Sequence, residues 1–343
     1  MTRSRCPARP VEIKSMPRSL GQRLKERPHS THPGLLGTTI ARWTGRGRLE
    51  DLADSIAEIM KVEKKRAKVS RLGRTILVDG AEPASVSGLL EGLPGVAWVA
   101  VGRSSGSIQG LAAELGRLAK HYVKPSGTFA VRAESTTGSK PSDLAGAGTS
   151  AVLDAVRGAR VSESAARTVF RMAFDGRHGV AAVEVGLGAG GAAMGDRVAD
   201  CLVSGGMHSS ALTWAAMLSG YSVRLVHAKT SEESLLAVAR LYSELSRRAD
   251  PRKIGLTILQ GEGTRRILSR WSARAGGPVF AGFHAECHGD YQRIAKNAES
   301  PLYLLPEEEF AKLFSMLGLT PLDEREKWRR GGRGAARAAS FGG

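Results

Sequence analysis

Two adjacent glycines among serines form the most chemically pointed stretch of this chain, Val203-Ser204-Gly205-Gly206-Met207-His208-Ser209-Ser210. Adjacent glycines permit a tight turn and let the backbone approach an anion closely. If a helix starts here, its first N–H groups and the hydroxyls of Ser204, Ser209 and Ser210 would cradle a phosphate. A plain strand–helix turn would use the same glycines. A second cluster reads His284-Ala285-Glu286-Cys287-His288-Gly289-Asp290. Its histidines would lower the pKa of Cys287, which makes Cys287 the candidate catalytic thiol. His284, Cys287, His288 and Asp290 also hold enough ligand atoms for zinc, but their spacing matches no standard site and no metal is assigned. A buried thiol beside two loop histidines is the plainer reading. Cys201 is expected in the core, and Cys6 falls in a basic arm.

The elements that must position these residues follow from periodicity. Residues 1–33 carry five prolines and scattered arginines without periodicity, so a flexible basic arm is expected. Leu36–Trp43 alternates as a strand, and Leu49–Met60 is helical, with Leu49, Leu52, Ile56 and Ile59 on one face. Arg66–Ser70 and Arg74–Val78 read as two strands around a turn at Arg71-Leu72-Gly73. Helix Val86–Leu93 and strand Val96–Val101 complete β-α-β-β-α-β, the order of a ferredoxin-like α+β module over 34–105.

A second α+β unit, 106–195, follows: helix Ser107–Tyr122, strand Thr128–Ala133, helix Asp143–Val156, and strands Thr168–Phe174 and Val180–Val185. From residue 196 to 322, short apolar strands alternate with helices. The strands are Cys201–Val203, Ser222–Val226, Gly255–Leu259, Val279–Phe283 and Leu302–Leu305. The helices are Ser210–Leu218, Glu232–Arg247, Gly263–Ala273, Tyr291–Asn297 and Glu307–Met316. Thr230 with Glu233 reads as a capping box for the second helix. This rhythm predicts a parallel α/β sheet covered on both faces. The phosphate loop would then sit at the carboxyl ends of the strands, where such sheets bind ligands. The tail, 323–343, is basic and rich in Gly and Arg, and disorder is expected there.

The net charge is +17, and it is unevenly spread: +11 in residues 1–75, +1 in 76–195 and +5 in 196–343. A concentrated basic region attracts nucleic acid, because each phosphate neutralised releases a condensed counterion. The single asparagine and four glutamines look thermophile-like. That habit enriches Glu alongside Lys and Arg, whereas here the basic residues run unbalanced at one end. Three cysteines in 343 residues exclude a disulfide scaffold. No apolar run approaches the ~20 residues of a membrane span, so a cytoplasmic protein without membrane contact is expected.

Ser204-Gly205-Gly206-Met207-His208-Ser209 resembles the PP-loop, SGGxDS, of adenine-nucleotide α-hydrolases. Gly190-Gly191-Ala192-Ala193-Met194-Gly195 before it resembles, with the loop, the GGLPxGT…SGG passage of tRNA 4-thiouridine synthetases. Strand Thr128–Ala133, the Lys140-Pro141-Ser142-Asp143-Leu144 helix entry and the paired strands at 168–174 and 180–185 resemble that family's THUMP domain. The resemblance implies three domains: ferredoxin-like, THUMP and PP-loop. It implies tRNA as partner and ATP with Mg²⁺ as cofactors. In that family a uridine is adenylated and sulfur arrives from a cysteine persulfide, so the resemblance implies conversion of uridine 8 to 4-thiouridine. It also implies a homodimer. Lys64, Lys65, Arg66, Lys68, Arg71, Arg74, Arg132 and Lys140 are the candidate RNA contacts, because RNA helices are read by shape and backbone.

The departures from the family bear on activity. His208 stands where the PP-loop has aspartate, and imidazole serves a hard cation such as Mg²⁺ poorly. Ala192-Ala193 replaces LP, and Asp196 replaces the threonine. The pocket-lining GEALGQxxSQT segment has no counterpart, and no cysteine follows Cys287. The expected protein is therefore a tRNA-binding THUMP protein with a degenerate PP-loop. The alternatives are a working sulfurtransferase fed by a sulfur-donor protein, and another ATP- or metal-using RNA-modifying enzyme centred on Cys287.

Overall fold

Apolar residues at 52, 56, 59 and 60 give the first helix a buried side that lies on an antiparallel layer. In chain order the elements are β1 (Thr38–Trp43), α1 (Leu49–Val62), β2 (Lys68–Leu72), β3 (Thr75–Asp79), α2 (Pro83–Glu91) and β4 (Val96–Ser105). Leu52, Ile56 and Ile59 of α1 and Val86 and Leu90 of α2 pack on Ala41, Ile76, Val78 and Val99. The strand order β2-β3-β1-β4, antiparallel throughout, is the ferredoxin-like arrangement. The computed structural model of the chain describes residues 37–136, 138–229, 231–259, 264–282, 298–299 and 307–317. The expected arm, the tail and the segment holding His284, Cys287, His288 and Asp290 lie outside the described residues.

The β2–β3 turn falls at Gly73 and Arg74, later than the periodicity suggests. Arg71 and Leu72 stay in the ladder opposite Ile76 and Thr75, and Gly73 adopts φ 58°. A two-residue hairpin loop requires that left-handed conformation, which glycine accepts without strain.

The next elements are α3 (Ile108–Tyr122), β5 (Thr128–Ser135), α4 (Pro141–Ala155), β6 (Arg160–Val161), β7 (Thr168–Phe174) and β8 (Gly179–Leu187). The Ser107 hydroxyl caps α3, accepting from the Gly110 N–H at 3.1 Å. Leu111 and Leu115 of α3 and Leu144 and Val152 of α4 pack on Phe129, Val131, Phe170 and Met172. Strand β6 carries no periodicity in its two residues and was not anticipated. β4 runs four residues past Val101, because Gly102–Ser105 pair with Gly179–Ala182 of β8. That pairing joins both units into one eight-stranded sheet, β2-β3-β1-β4-β8-β7-β5-β6.

The sheet curls strongly. β4, β8 and β7 lie between β1 and β5 in the strand order. Even so, Arg42 of β1 forms an ion pair with Glu134 of β5 across the concave face. On the same face Arg171 holds Glu184 at 2.7 Å and lies 4.3 Å from the Trp98 ring centroid. Burial works to lower the Arg171 pKa, and the Glu184 carboxylate works against it.

The C-terminal unit comprises β9 (Val198–Leu202), α5 (Met207–Leu218), β10 (Ser222–Ala228), α6 (Glu232–Ser246), a 3₁₀ turn (Pro251–Lys253), β11 (Ile254–Leu259), α7 (Thr264–Arg274), β12 (Val279–Ala281), β13 (Ala298–Glu299) and α8 (Glu307–Ser315). Its five strands pair in parallel in the order β11-β10-β9-β12-β13. The fifth strand is Ala298–Glu299, and the expected strand 302–305 and helix 291–297 lie outside the described residues. Helix α5 is buried on every side from His208 to Leu218, as befits a central helix. The capping box of α6 uses Ser231 and Ser234 in place of Thr230 and Glu233: each hydroxyl accepts the other residue's N–H, at 3.1 and 3.2 Å. No helix among the described residues is long and apolar enough to cross a membrane.

The linker between the two sheets is bonded to both. The Gly95 N–H donates to Gly190 O at 2.7 Å, Thr44 Oγ1 to Gly191 O at 2.7 Å, and the Ala193 N–H to Arg46 O at 3.1 Å. Toward the parallel sheet, Ala192 donates to Leu218 O at 2.6 Å and Gly195 to Gly220 O at 2.9 Å. Gly191 sits at φ 69°, and a Cβ there would come within 2.3 Å of Leu218 O.

Asp200 fastens α7 to the parallel sheet. Its buried carboxylate accepts two bonds from Arg224, at 2.7 and 2.8 Å, and one from the Trp271 indole N–H at 2.8 Å. Removing one partner strands the other buried donors, but Arg224 is 40% exposed and water would recover part of its loss. Asp200→Ala is expected to destabilise the protein by about 1–3 kcal/mol in urea unfolding. An unchanged midpoint would show that the clamp contributes nothing.

Cys201 beside it is fully buried, and burial pushes its thiol up to about 12, against a smaller opposing effect of the Thr213 hydrogen bond. The unfolded thiol titrates near ~8.5, so above that pH the unfolded state binds fewer protons than the folded one. Stability should therefore fall between about pH 8.5 and 12, by up to ~1.4 kcal/mol per unit from this group. Cys201→Ala should flatten the dependence by that amount, and identical slopes would refute the assignment.

Candidate functional site

The parallel sheet has its topological switch at β9, which lies between β10 and β12, so the loop after β9 opens into a crevice at the carboxyl ends of the strands. That loop is Val203-Ser204-Gly205-Gly206. Helix α5 starts at once with Met207, three residues before the periodicity places it. Gly205 turns at φ 83°, and a Cβ there would lie 2.5 Å from Ala237 Cβ of α6. A residue with a side chain would be strained by the left-handed backbone and would collide with α6. The first turn of α5 therefore aims its N–H groups and the positive end of its dipole at the crevice.

The serines of the loop mostly serve the loop itself. Ser209 Oγ donates to Gly206 O at 3.1 Å and accepts from the Ser204 N–H at 3.4 Å. Ser210 Oγ donates to the same carbonyl at 2.9 Å. Both residues are buried. Ser204 is exposed, and its Oγ accepts from the Gly206 N–H at 3.4 Å. The anion-facing chemistry of this conformation thus belongs to the backbone and Ser204 more than to Ser209 and Ser210. His208 is 9% exposed, and the chain leaving β12 presses on its backbone: a Cβ on Gly282 would lie 2.4 Å from His208 O. The β9 loop and the end of β12 thus lie side by side at the carboxyl edge of the sheet. Among the described residues no group of three or more His, Cys, Asp or Glu could hold a metal ion.

His227 escaped the sequence reading. It is the penultimate residue of β10, is 2% exposed, and its Nδ1 lies 2.9 Å from Val203 O, with Nε2 3.3 Å from Ser234 Oγ. The one signal for it was a histidine directly after the apolar run Leu225-Val226, near the carboxyl end of the strand beside the loop strand.

The basic candidates divide into three places. Lys64, Lys65 and Arg66 occupy the turn from α1 into β2, with Lys64 at φ 52°, and Lys68 starts β2, the sheet's edge strand. Lys64, Arg66 and Lys68 are exposed and make no ion pair with another described residue. Arg71 and Arg74 flank the hairpin tip. Arg71 pairs with Glu50 at 2.7 Å, and the Arg74 guanidinium carbon lies 5.4 Å from the Trp43 ring centroid. The tip meets the chain just after β5, where a Cβ on Gly73 would lie 2.8 Å from Thr136 Cγ2. Arg132 sits apart on β5, exposed and 4.0 Å from Glu163, and Lys140 is the exposed N-cap of α4. The structure therefore aligns the 64–74 group along one edge and leaves Arg132 outside it.

Neither a protein-family model nor a curated protein sequence matches the chain. Solved structures do share its fold. PH1313 from Pyrococcus horikoshii Ot3 superposes with a TM-score of 0.65 at 18% identity, covering 82% of this chain and 100% of that one. A 4-thiouridine synthetase, solved as an RNA complex with bound ATP, superposes with a TM-score of 0.62 at 15% identity, covering 83% of this chain and 85% of that one. At these identities the likeness is one of fold, a large mixed sheet with a separate parallel sheet.

Proposed function

We propose that this chain is a tRNA-binding protein with the architecture of a 4-thiouridine synthetase, and that its PP-loop has lost much of its Mg²⁺–ATP chemistry. The observation that carries the first half is the row of exposed, unpaired cations at Lys64, Arg66 and Lys68, on the edge strand of the eight-stranded sheet. Such a row suits a phosphate backbone read by shape, and the fold is shared with a synthetase solved together with RNA. A folded tRNA is expected to shift in a mobility assay and to release steeply as salt rises. Changing Lys64, Arg66 and Lys68 together to Gln should lower the slope of log affinity against log salt by about 1 per lost phosphate contact. Absence of binding at low salt would overturn the proposal.

The second half rests on His208, which occupies the place of the PP-loop carboxylate on the first turn of α5. An imidazole offers a hard cation little, whereas the loop backbone keeps its anion-facing form. Calorimetry of the wild-type protein with ATP·Mg²⁺ is expected to be silent, and His208→Asp is expected to restore nucleotide binding. Micromolar ATP affinity in the wild type would favour the working-sulfurtransferase reading, which the intact loop geometry at the switch point supports. That reading calls for an external sulfur-donor protein and accommodates a homodimer. An enzyme centred on Cys287 depends on residues outside the described part of the chain.

A further inference from the structure

The β9–β10 ladder ends where the Val203 N–H donates to Val226 O at 2.9 Å. The next acceptor is the Val203 carbonyl, immediately before the phosphate loop, and the His227 ring takes it through Nδ1 at 2.9 Å. A carbonyl can only accept, so Nδ1 carries a proton. Nε2 faces Ser234 Oγ at 3.3 Å, and that hydroxyl also lies 2.8 Å from Ser231 O and accepts from the Ser231 N–H. The hydroxyl has a single proton to give, to Nε2 or to Ser231 O. A neutral ring competes for it with Ser231 O, the nearer acceptor at 2.8 Å, whereas a charged ring donates to Ser234 and leaves that proton on Ser231 O. In both states Nδ1 still holds Val203.

We infer that His227 is a positioning residue that sets the shape of the phosphate loop by tying its entry carbonyl to the first turn of α6. Three anchors then hold the loop: the β9 ladder on one side, the His227–Ser234 link above it, and the packing of Gly205 on Ala237 of α6. A loop fixed in this way keeps its amides aimed at one point, as a phosphate-bearing ligand requires. This inference rests on the reading of 204–209 as an anion loop.

The test is amide hydrogen exchange at residues 204–206 in the full-length protein. His227→Ala leaves a buried carbonyl without its donor and should speed exchange there by about tenfold or more, with β5 and β8 unchanged. His227→Asn places a side-chain N–H where Nδ1 stands and should restore protection. Unchanged exchange in the Ala variant would overturn the inference. If His227→Ala loosens the whole protein, β5 will exchange faster too and the Asn variant decides. Protection restored supports the donor role, and exchange as fast as in Ala refutes it. Titration of the wild type with inorganic pyrophosphate separates the two claims. Silence there counts against the anion-loop reading and leaves the exchange result to judge the role of His227.

Discussion

The backbone of residues 188–195 sets the relation between the two sheets, and the rest of the architecture hangs from it. Its groups bond to β4 and the β1–α1 loop on one side, and to the end of α5 and the turn before β10 on the other. Backbone bonds of this kind leave little room for sliding, because every shift would strand several buried polar groups at once. Side chains reinforce the joint. Lys253 donates to Met194 O, and Arg252 reaches both Asp250 at 2.8 Å and Glu58 of α1 at 3.6 Å. The edge at 64–74 and the loop at 203–206 therefore belong to units joined by these bonds.

The curl of the eight-stranded sheet comes from the same economy of polar groups. A flat sheet would expose Trp98, Ala100 and Ala182 on its helix-free face. Curling buries Ala100 and Ala182 and brings Arg42, Glu134, Arg171 and Glu184 into mutual reach. Arg171 is paired with Glu184 and stacked on Trp98, so its charge is met inside the protein. Arg132, its neighbour in register, remains exposed with Glu163 only at 4.0 Å. The concave face is therefore nearly neutral internally, whereas the edge at Lys64, Arg66 and Lys68 keeps its charge for solvent or a partner.

How far the sequence revealed this depended on range. Elements with a strong local pattern, such as α1 with its apolar face or β7 and β8 around Asp175-Gly176-Arg177-His178, were legible to within a few residues. The Asp175 carboxylate accepts the Arg177 and His178 N–H groups at 2.9 and 2.7 Å, a turn written entirely in neighbouring residues. Features set by distant pairing were not legible. The extension of β4 to Ser105 exists because β8 lies alongside, and nothing in Gly102–Ser105 announces it. The capping box moved to Ser231 and Ser234 because two small hydroxyls reciprocate within one turn, while His227 draws Ser234 inward. At the loop, the glycine spacing disclosed the turn, but not that Ser209 and Ser210 would give their protons to Gly206 O.

The form of the loop and the side chain at 208 are separable. Its form depends on Gly205, on the Gly206 carbonyl that gathers two serine hydroxyls, and on the His227 bond to Val203. None of these involves the side chain at 208. A carboxylate there would serve a metal ion and not the backbone, so imidazole at 208 costs the loop nothing that these bonds supply. At Gly282 the lack of a side chain lets the chain leaving β12 lie against the backbone of α5 at His208. The architecture of the loop is thus independent of the side chain at 208.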